Sequence, residues 1–225
     1  MAAFHEIILL NYKRGDLLIG KLRTGNIQTQ QTIEGPSRLD KTFISAEELL
    51  RDSYELGLRV IESGFRPTFL LGVWRGGTPV GIAMQELFEI TGLEMNHFAI
   101  RTSSYGSGTV AADTVQVFGL QHVVDSINVD DKLLIIDDVF DSGRSVSAII
   151  DTLSAKSRRN TPDDIKVATV YYKPGKNKTD RVPDYYVHTA DEWLVFPHEM
   201  KGCTREELAK NKPIPDRVFD LDLDL

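Results

Sequence analysis

The stretch LLIIDDVFDSGRS, Leu133 to Ser145, sets three carboxylates beside a turn of glycine and hydroxyls. Asp137 and Asp138 follow four apolar residues, Asp141 comes soon after, and Ser142-Gly143-Arg144-Ser145 closes the run. Carboxylates this close repel one another, so the cluster needs a partner. Its second half describes an anion site. At the start of a helix the backbone N–H groups of Ser142, Gly143, Arg144 and Ser145 point outward, the hydroxyls donate, and Arg144 adds charge. A phosphate monoester suits that arrangement. The paired acids can accept from two vicinal hydroxyls or hold a hydrated Mg²⁺. Phosphate on one side and a diol on the other describe a ribose 5-phosphate. Two plainer readings are a strand end with a solvated acidic turn and a receiver-type acidic pocket. The second gives no reason for the Ser-Gly-Arg-Ser continuation.

These residues need a scaffold, and the surrounding pattern supplies one. SAEELLRDSYELGLRVIESG reads as a helix with Ser45 as its cap and Glu48 completing a capping box. PTFLLGVW is a short apolar strand of the kind buried on both faces of a parallel sheet. TPVGIAMQELFEITG is a helix capped by Thr78 with Pro79 at its first position. Then come strand EMNHFAI, a polar stretch from Arg101 to Asp131, strand KLLIID, a loop Val139–Ser142, helix SVSAIIDTLSAKS, and strands IKVATVYY and DYYVH. Strand and helix alternate, so the expected fold is α/β with a mainly parallel central sheet flanked by helices. Ligands in such sheets gather at the carboxyl ends of strands. The residues after Val73, Ile100 and Ile136, together with Lys173, fall there. The polar N-terminal segment shows no sustained period and reads as an irregular arm. The tail VFDLDLDL reads as an edge strand or a frayed end.

LLIIDDVFDSGRS closely resembles the phosphoribosyl-pyrophosphate (PRPP) signature of type I phosphoribosyltransferases. Other segments resemble the 6-oxopurine branch of that family. In GVWRGGTP, the resemblance implies a pyrophosphate loop of Trp74, Arg75 and Gly76, with a Trp74–Arg75 peptide that can be cis. In RTSSYGSG, Ser104 and Tyr105 match the start of a flexible lid. In VYYKP and DEWLVFPHE, Lys173 would donate to the purine 6-oxo group, Trp193 would stack on the base, and the Leu194 backbone would meet the base edge. The resemblance further implies that Asp137 and Asp138 hold the PRPP ribose and its Mg²⁺. Ser142, Gly143, Arg144 and Ser145 would hold the 5′-phosphate. Asp141 would take the proton of the base, Arg75 would stabilise departing pyrophosphate, and Glu199 lies near an acid that helps hold a second Mg²⁺. Taken singly, each segment has a blander reading: a glycine turn, an ordinary loop, a solvated lysine, a core tryptophan. The implied organisation is an N-terminal arm over 1–44, a core over 45–200 with a lid at 102–125 and a base-binding hood, and a C-terminal extension over 201–225. The implied activity is purine salvage: hypoxanthine, guanine or xanthine plus PRPP giving the nucleoside 5′-monophosphate and pyrophosphate. A nucleotide-sensing regulator of the same fold without turnover is the alternative, and an orotate or adenine transferase is a further rival.

Composition narrows the field. The 225 residues, 41% of them apolar, are enough for one sizeable core. Lys+Arg 26 against Asp+Glu 33 gives a charge of −7, which argues against nucleic acid as a partner. The single cysteine excludes an internal disulfide and fits a reducing, cytoplasmic setting. No run is apolar for the length a membrane span needs. The sequon Asn177-Lys178-Thr179 is therefore expected to be silent. GDLLIGKL, Gly15 to Leu22, nearly spells a P-loop, but Leu22 replaces the Mg²⁺-binding hydroxyl. The histidines show no zinc spacing. A homo-oligomer, dimer or tetramer, is expected from the family.

Overall fold

The computed structural model describes residues 10–13, 16–19, 41–104 and 115–221. Contacts divide the chain into a unit up to Asp40 and a larger unit from Lys41 onward. In the first, β1 (Leu10–Lys13) pairs antiparallel with β2 (Asp16–Ile19), Leu10 opposite Ile19 and Lys13 opposite Asp16. Two short strands thus occur within the arm expected to be partly irregular, and the rest of residues 1–40 lies outside the described residues.

The larger unit opens with β3 (Lys41–Phe43) and α1 (Ala46–Glu62). The capping box at the start of α1 forms as expected: Ser45 Oγ accepts from Glu48 N, and the Glu48 carboxylate accepts from Ser45 N. β4 (Phe69–Trp74), α2 (Gly77–Ile90), β5 (Asn96–Ser104), β6 (Val115–Phe118), α3 (Gln121–Ser126), β7 (Lys132–Phe140), α4 (Arg144–Ser157), β8 (Asp164–Tyr172) and β9 (Tyr185–Thr189) follow. β10 (Trp193–Val195) and α5 (Arg205–Asn211) complete the set. Residues 216–220 form a 3-10 turn, which takes in the start of the tail VFDLDLDL; residues 222–225 lie outside the described residues.

Six strands form one sheet in the order β6-β5-β4-β7-β8-β9, parallel except for β6. Apolar residues alternate between its faces as the pleat requires. Leu70, Leu134, Ile136 and Ala168 meet α1 and α2 through Leu56, Val80 and Met84. Phe69, Leu71, Leu133, Ile135 and Val167 meet α3 and α4 through Val123, Ile149 and Leu153. This is the α/β architecture that the sequence implies. The chain passes from β4 outward to β5, then returns to place β7 on the other side of β4. Ligands bind in the crevice opened by such a reversal, at the carboxyl ends of the strands.

The ends of these strands are uneven, and this leaves the acids without a strand neighbour on one side. β4 pairs with β7 only as far as Gly72 opposite Ile136, whereas β7 pairs with β8 through Phe140 opposite Tyr172. Beyond Ile136 the β4 side of β7 is therefore free of strand, and Asp137-Asp138 begin at that point. The strand outlasts the expected KLLIID and runs to Phe140, so the loop shrinks to Asp141–Gly143.

Candidate active site

The turn from β4 to α2 fills the space beside the acids. A β-carbon on Gly77 would lie 2.1 Å from the Ile136 carbonyl oxygen, and one on Gly76 would lie 2.2 Å from the Asp138 carboxyl. Only glycine permits that approach. This packing sets the helix start: α2 begins at Gly77, with Gly76 as its cap. Thr78 is therefore not the cap, and its Oγ1 is buried without a hydrogen-bond partner among the described residues. The Trp74–Arg75 peptide is cis. Both side chains are exposed at the mouth of the turn, Trp74 by 54%.

On the other side lies the phosphate-type loop. Gly143 caps α4 with φ +77, a left-handed conformation that favours glycine. Any side chain there would also press on Thr179 Oγ1 at 2.5 Å and on the Phe140 ring at 2.9 Å. Gly143 has no side chain with which to cap α4, and Ser142 Oγ accepts from the Arg144 N–H at 3.5 Å. Its N-terminus faces a cavity of about 70 Å³ lined by Asp137, Asp141, Ser142, Gly143 and Ser145 among others. The segment after Lys173 braces the loop: Lys178 N–H donates to Ser142 O at 3.0 Å. The sequon folds into a turn in which Asn177 Oδ1 accepts from Thr179 N and Oγ1.

The two central acids have different surroundings. Asp138 is buried, 6% exposed, and its Oδ2 lies 3.1 Å from His198 Nε2. Asp137 lines the loop cavity and accepts from Asp138 N–H at 3.0 Å. Burial pushes the Asp137 carboxyl well above the usual carboxylate range, and the Asp138 charge adds to the effect; the Gly77 N–H offsets part of it. His198 stacks on Phe196, ring centroids 5.8 Å apart, and its Nδ1 has no partner among the described residues. Sequence reasoning misses His198 because the pairing spans sixty positions. The described residues hold no group of three or more metal-ligating side chains. Glu199 turns inward, its carboxylate accepting from Phe196 N–H at 3.4 Å.

The expected base residues come together. Lys173 is 8% exposed; its backbone N–H donates to Phe140 O, and its Nζ donates to Glu192 O at 2.8 Å. Glu192 immediately precedes Trp193, which is 40% exposed, and Leu194, which is buried. β10, which carries both, pairs in parallel with β3, Trp193 opposite Lys41 and Leu194 opposite Thr42. Lys173 thus ties the end of β7 to the segment from Asp191 to Glu199, the expected hood, and His198 ties that segment to Asp138. Of the lid, Ser104 ends β5, whose Arg101–Ser104 pair with β6. Tyr105 lies outside the described residues.

Residues 44–201 match the family described as the phosphoribosyl transferase domain. The bifunctional protein TilS/HprT of Listeria monocytogenes is 30% identical over 179 residues, 78% of this chain. The match takes in 25% of that protein, so the chain spans about a quarter of the length of the curated relatives it matches. Among solved structures, a purine phosphoribosyltransferase from Pyrococcus horikoshii is 24% identical, with 74% of this chain and 99% of that one covered and a TM-score of 0.55. A hypothetical protein from Neisseria gonorrhoeae with bound ppGpp is 18% identical, with 78% and 97% covered and a TM-score of 0.62. Both share the fold. The matched family span takes in the Arg75 turn, the acids with their loop, and the hood through His198, and on that ground the chain belongs to the phosphoribosyltransferase family.

Proposed function

We propose that the chain transfers a 5-phosphoribosyl group from PRPP to a 6-oxopurine, releasing pyrophosphate. One observation supports this most strongly. A single strand, β7, delivers Asp137, Asp138 and the glycine loop, and its last carbonyl, Phe140 O, binds the backbone of Lys173. The sugar-phosphate residues and the base residue therefore adjoin. The ammonium of Lys173 favours a 6-oxo acceptor over a 6-amino group, which cannot accept its proton.

In this reading the loop N–H groups and Ser142 hold the 5′-phosphate, and Asp137 and Asp138 accept from the ribose hydroxyls. Arg75 stabilises charge as the bond from C1 to the pyrophosphate oxygen breaks. N9 of the base forms the new bond to C1 from the opposite face, and Asp141 accepts the proton that the base loses, at N7. The adjacent carboxylates, crowded enough to raise Asp137, fit a divalent cation that keeps several waters and is completed by substrate oxygens. Mg²⁺ bound there would neutralise pyrophosphate charge. A homo-oligomer and a cytoplasmic setting belong to the same proposal. Among the described residues no helix is long and apolar enough to cross a membrane.

The test is a panel of hypoxanthine, guanine and xanthine, with adenine and orotate as controls, each incubated with PRPP and Mg²⁺. The expected result is nucleoside monophosphate from at least one 6-oxopurine and none from the controls. Tight PRPP or nucleotide binding with no product from any base would favour the regulatory alternative.

A further inference from the structure

We infer that Lys41 is a positioning residue for Trp193, holding one side of the indole so that its open side meets the purine flat. The inference rests on the base assignment proposed above. Strand pairing sets Lys41 opposite Trp193. The Lys41 ammonium is 2.6 Å from Gly202 O, 2.7 Å from Glu207 Oε2, and 5.1 Å from the centroid of the Trp193 ring. An ammonium has three N–H donors, and a carbonyl, a carboxylate and a π face are three acceptors for them. Each acceptor is itself fixed. Glu207 is held by the capping box of α5, accepting from Thr204 N at 2.8 Å. Gly202, at φ +83, lies so close to the ring that a β-carbon would sit 3.2 Å from Cζ2 and Cη2.

The arrangement needs an explanation beyond stability. The lysine side chain is 13% exposed and that of Glu207 21%, and an ion pair taken this far out of water gains little net energy. The small core of this region is Val195, Cys203 and Leu208, packed with Phe43, Ile214 and Phe219; Trp193 is not part of it. What the lysine and the glycine accomplish is to fix a large ring that keeps 40% of its surface open beside the carbonyl bound by Lys173. A platform fixed before binding spares the complex the cost of ordering it.

The experiment uses the full chain and its Lys41→Met and Lys41→Arg variants. Steady-state kinetics gives KM for the 6-oxopurine and for PRPP. Acrylamide quenching in a Trp74→Phe background reports Trp193 alone. Lys41→Met should raise the base KM about fivefold, with the PRPP KM held within about twofold, and should raise the quenching constant; Lys41→Arg should restore both. Should Lys41→Met fail to fold, Glu207→Gln keeps the capping box, removes the ionic partner, and should shift both readouts the same way. An unchanged base KM in active Lys41→Met overturns the inference. So does a parallel rise in both KM values, which would indicate general damage, or a fall in the base KM, which would put Lys41 on the face the base needs. Wild-type protein that turns over no 6-oxopurine would instead refute the proposed function, while the quenching arm still reports whether Lys41 holds the ring.

Discussion

Asp137 and Asp141 flank the same cavity, yet the fold treats them differently. Asp137 is pressed toward its neutral form by burial and by Asp138, whereas Asp141 stands exposed at the loop tip, where an incoming base can reach it. Under the proposed function, proton transfer from the base is therefore assigned to Asp141. Asp141→Asn should lower kcat by about 10²-fold or more and leave PRPP affinity within about twofold. Titration calorimetry beside steady-state kinetics separates the two effects, and an unchanged kcat removes Asp141 from the role. His198 makes a second residue-scale case. His198→Phe keeps an aromatic ring against Phe196 and deletes the 3.1 Å contact to Asp138. Removing one partner of a buried carboxylate costs about 1–3 kcal/mol. The PRPP KM should rise by roughly tenfold with the base KM little changed; equal effects on both substrates would show that His198 serves the hood and not the acid. The His198 effect could not be read from spacing, because a histidine after Trp193-Leu194-Val195-Phe196-Pro197 carries no local signature.

At the scale of the element, the glycine turn and the uneven strand ends form one device. β4 stops at Trp74, α2 begins on top of Ile136, and the glycine turn, not a strand, packs beside the acids on that side. Gly77→Ala would drive a methyl group into a backbone carbonyl 2.1 Å away, so strand and helix must part. We expect a loss of about 3 kcal/mol or more in urea denaturation together with a collapse of PRPP binding. A variant with wild-type stability would mean that the turn has slack that the packing denies. Much of this was legible in the sequence. Apolar runs gave the buried strands, the Ser45–Glu48 box gave α1, and the acid-glycine run gave the loop. The errors have physical causes. Thr78-Pro79 has the chemistry of a helix start, but packing of Gly76-Gly77 on β7 moves that start upstream. β3 is three residues long and exists through its pairing with β10, a partner some 150 positions away. No local pattern can announce a strand whose reason is a distant edge.

At the scale of the whole molecule, the site is a burden on the fold. Asp137 has a raised pKa in the folded state, whereas the unfolded chain ionises it near the ordinary value of about 3.9. Below about pH 3 both states hold the proton and no penalty exists. As pH rises, the unfolded state gives up the proton first, so stability falls until the folded carboxyl also ionises, and the full penalty persists above that point. Asp137→Asn has the shape without the charge. At neutral pH it should be more stable than wild type by about 1 kcal/mol, roughly 2–4 °C in a chain of this size. The gap should shrink toward zero as the melting experiment is moved to about pH 3. Ligand should reverse the ranking. If the proposed function holds, PRPP with Mg²⁺ at a hundred times its Kd should stabilise the wild type by about 2.7 kcal/mol, and the variant, without the proposed hydroxyl acceptor and cation ligand, should gain little of that. The two melting series thus test one claim, that the carboxylates which destabilise the empty protein are those that grip the sugar. A stability gap independent of pH, or an equal ligand shift in both proteins, would separate the burden from the site and assign the penalty to some other part of the fold.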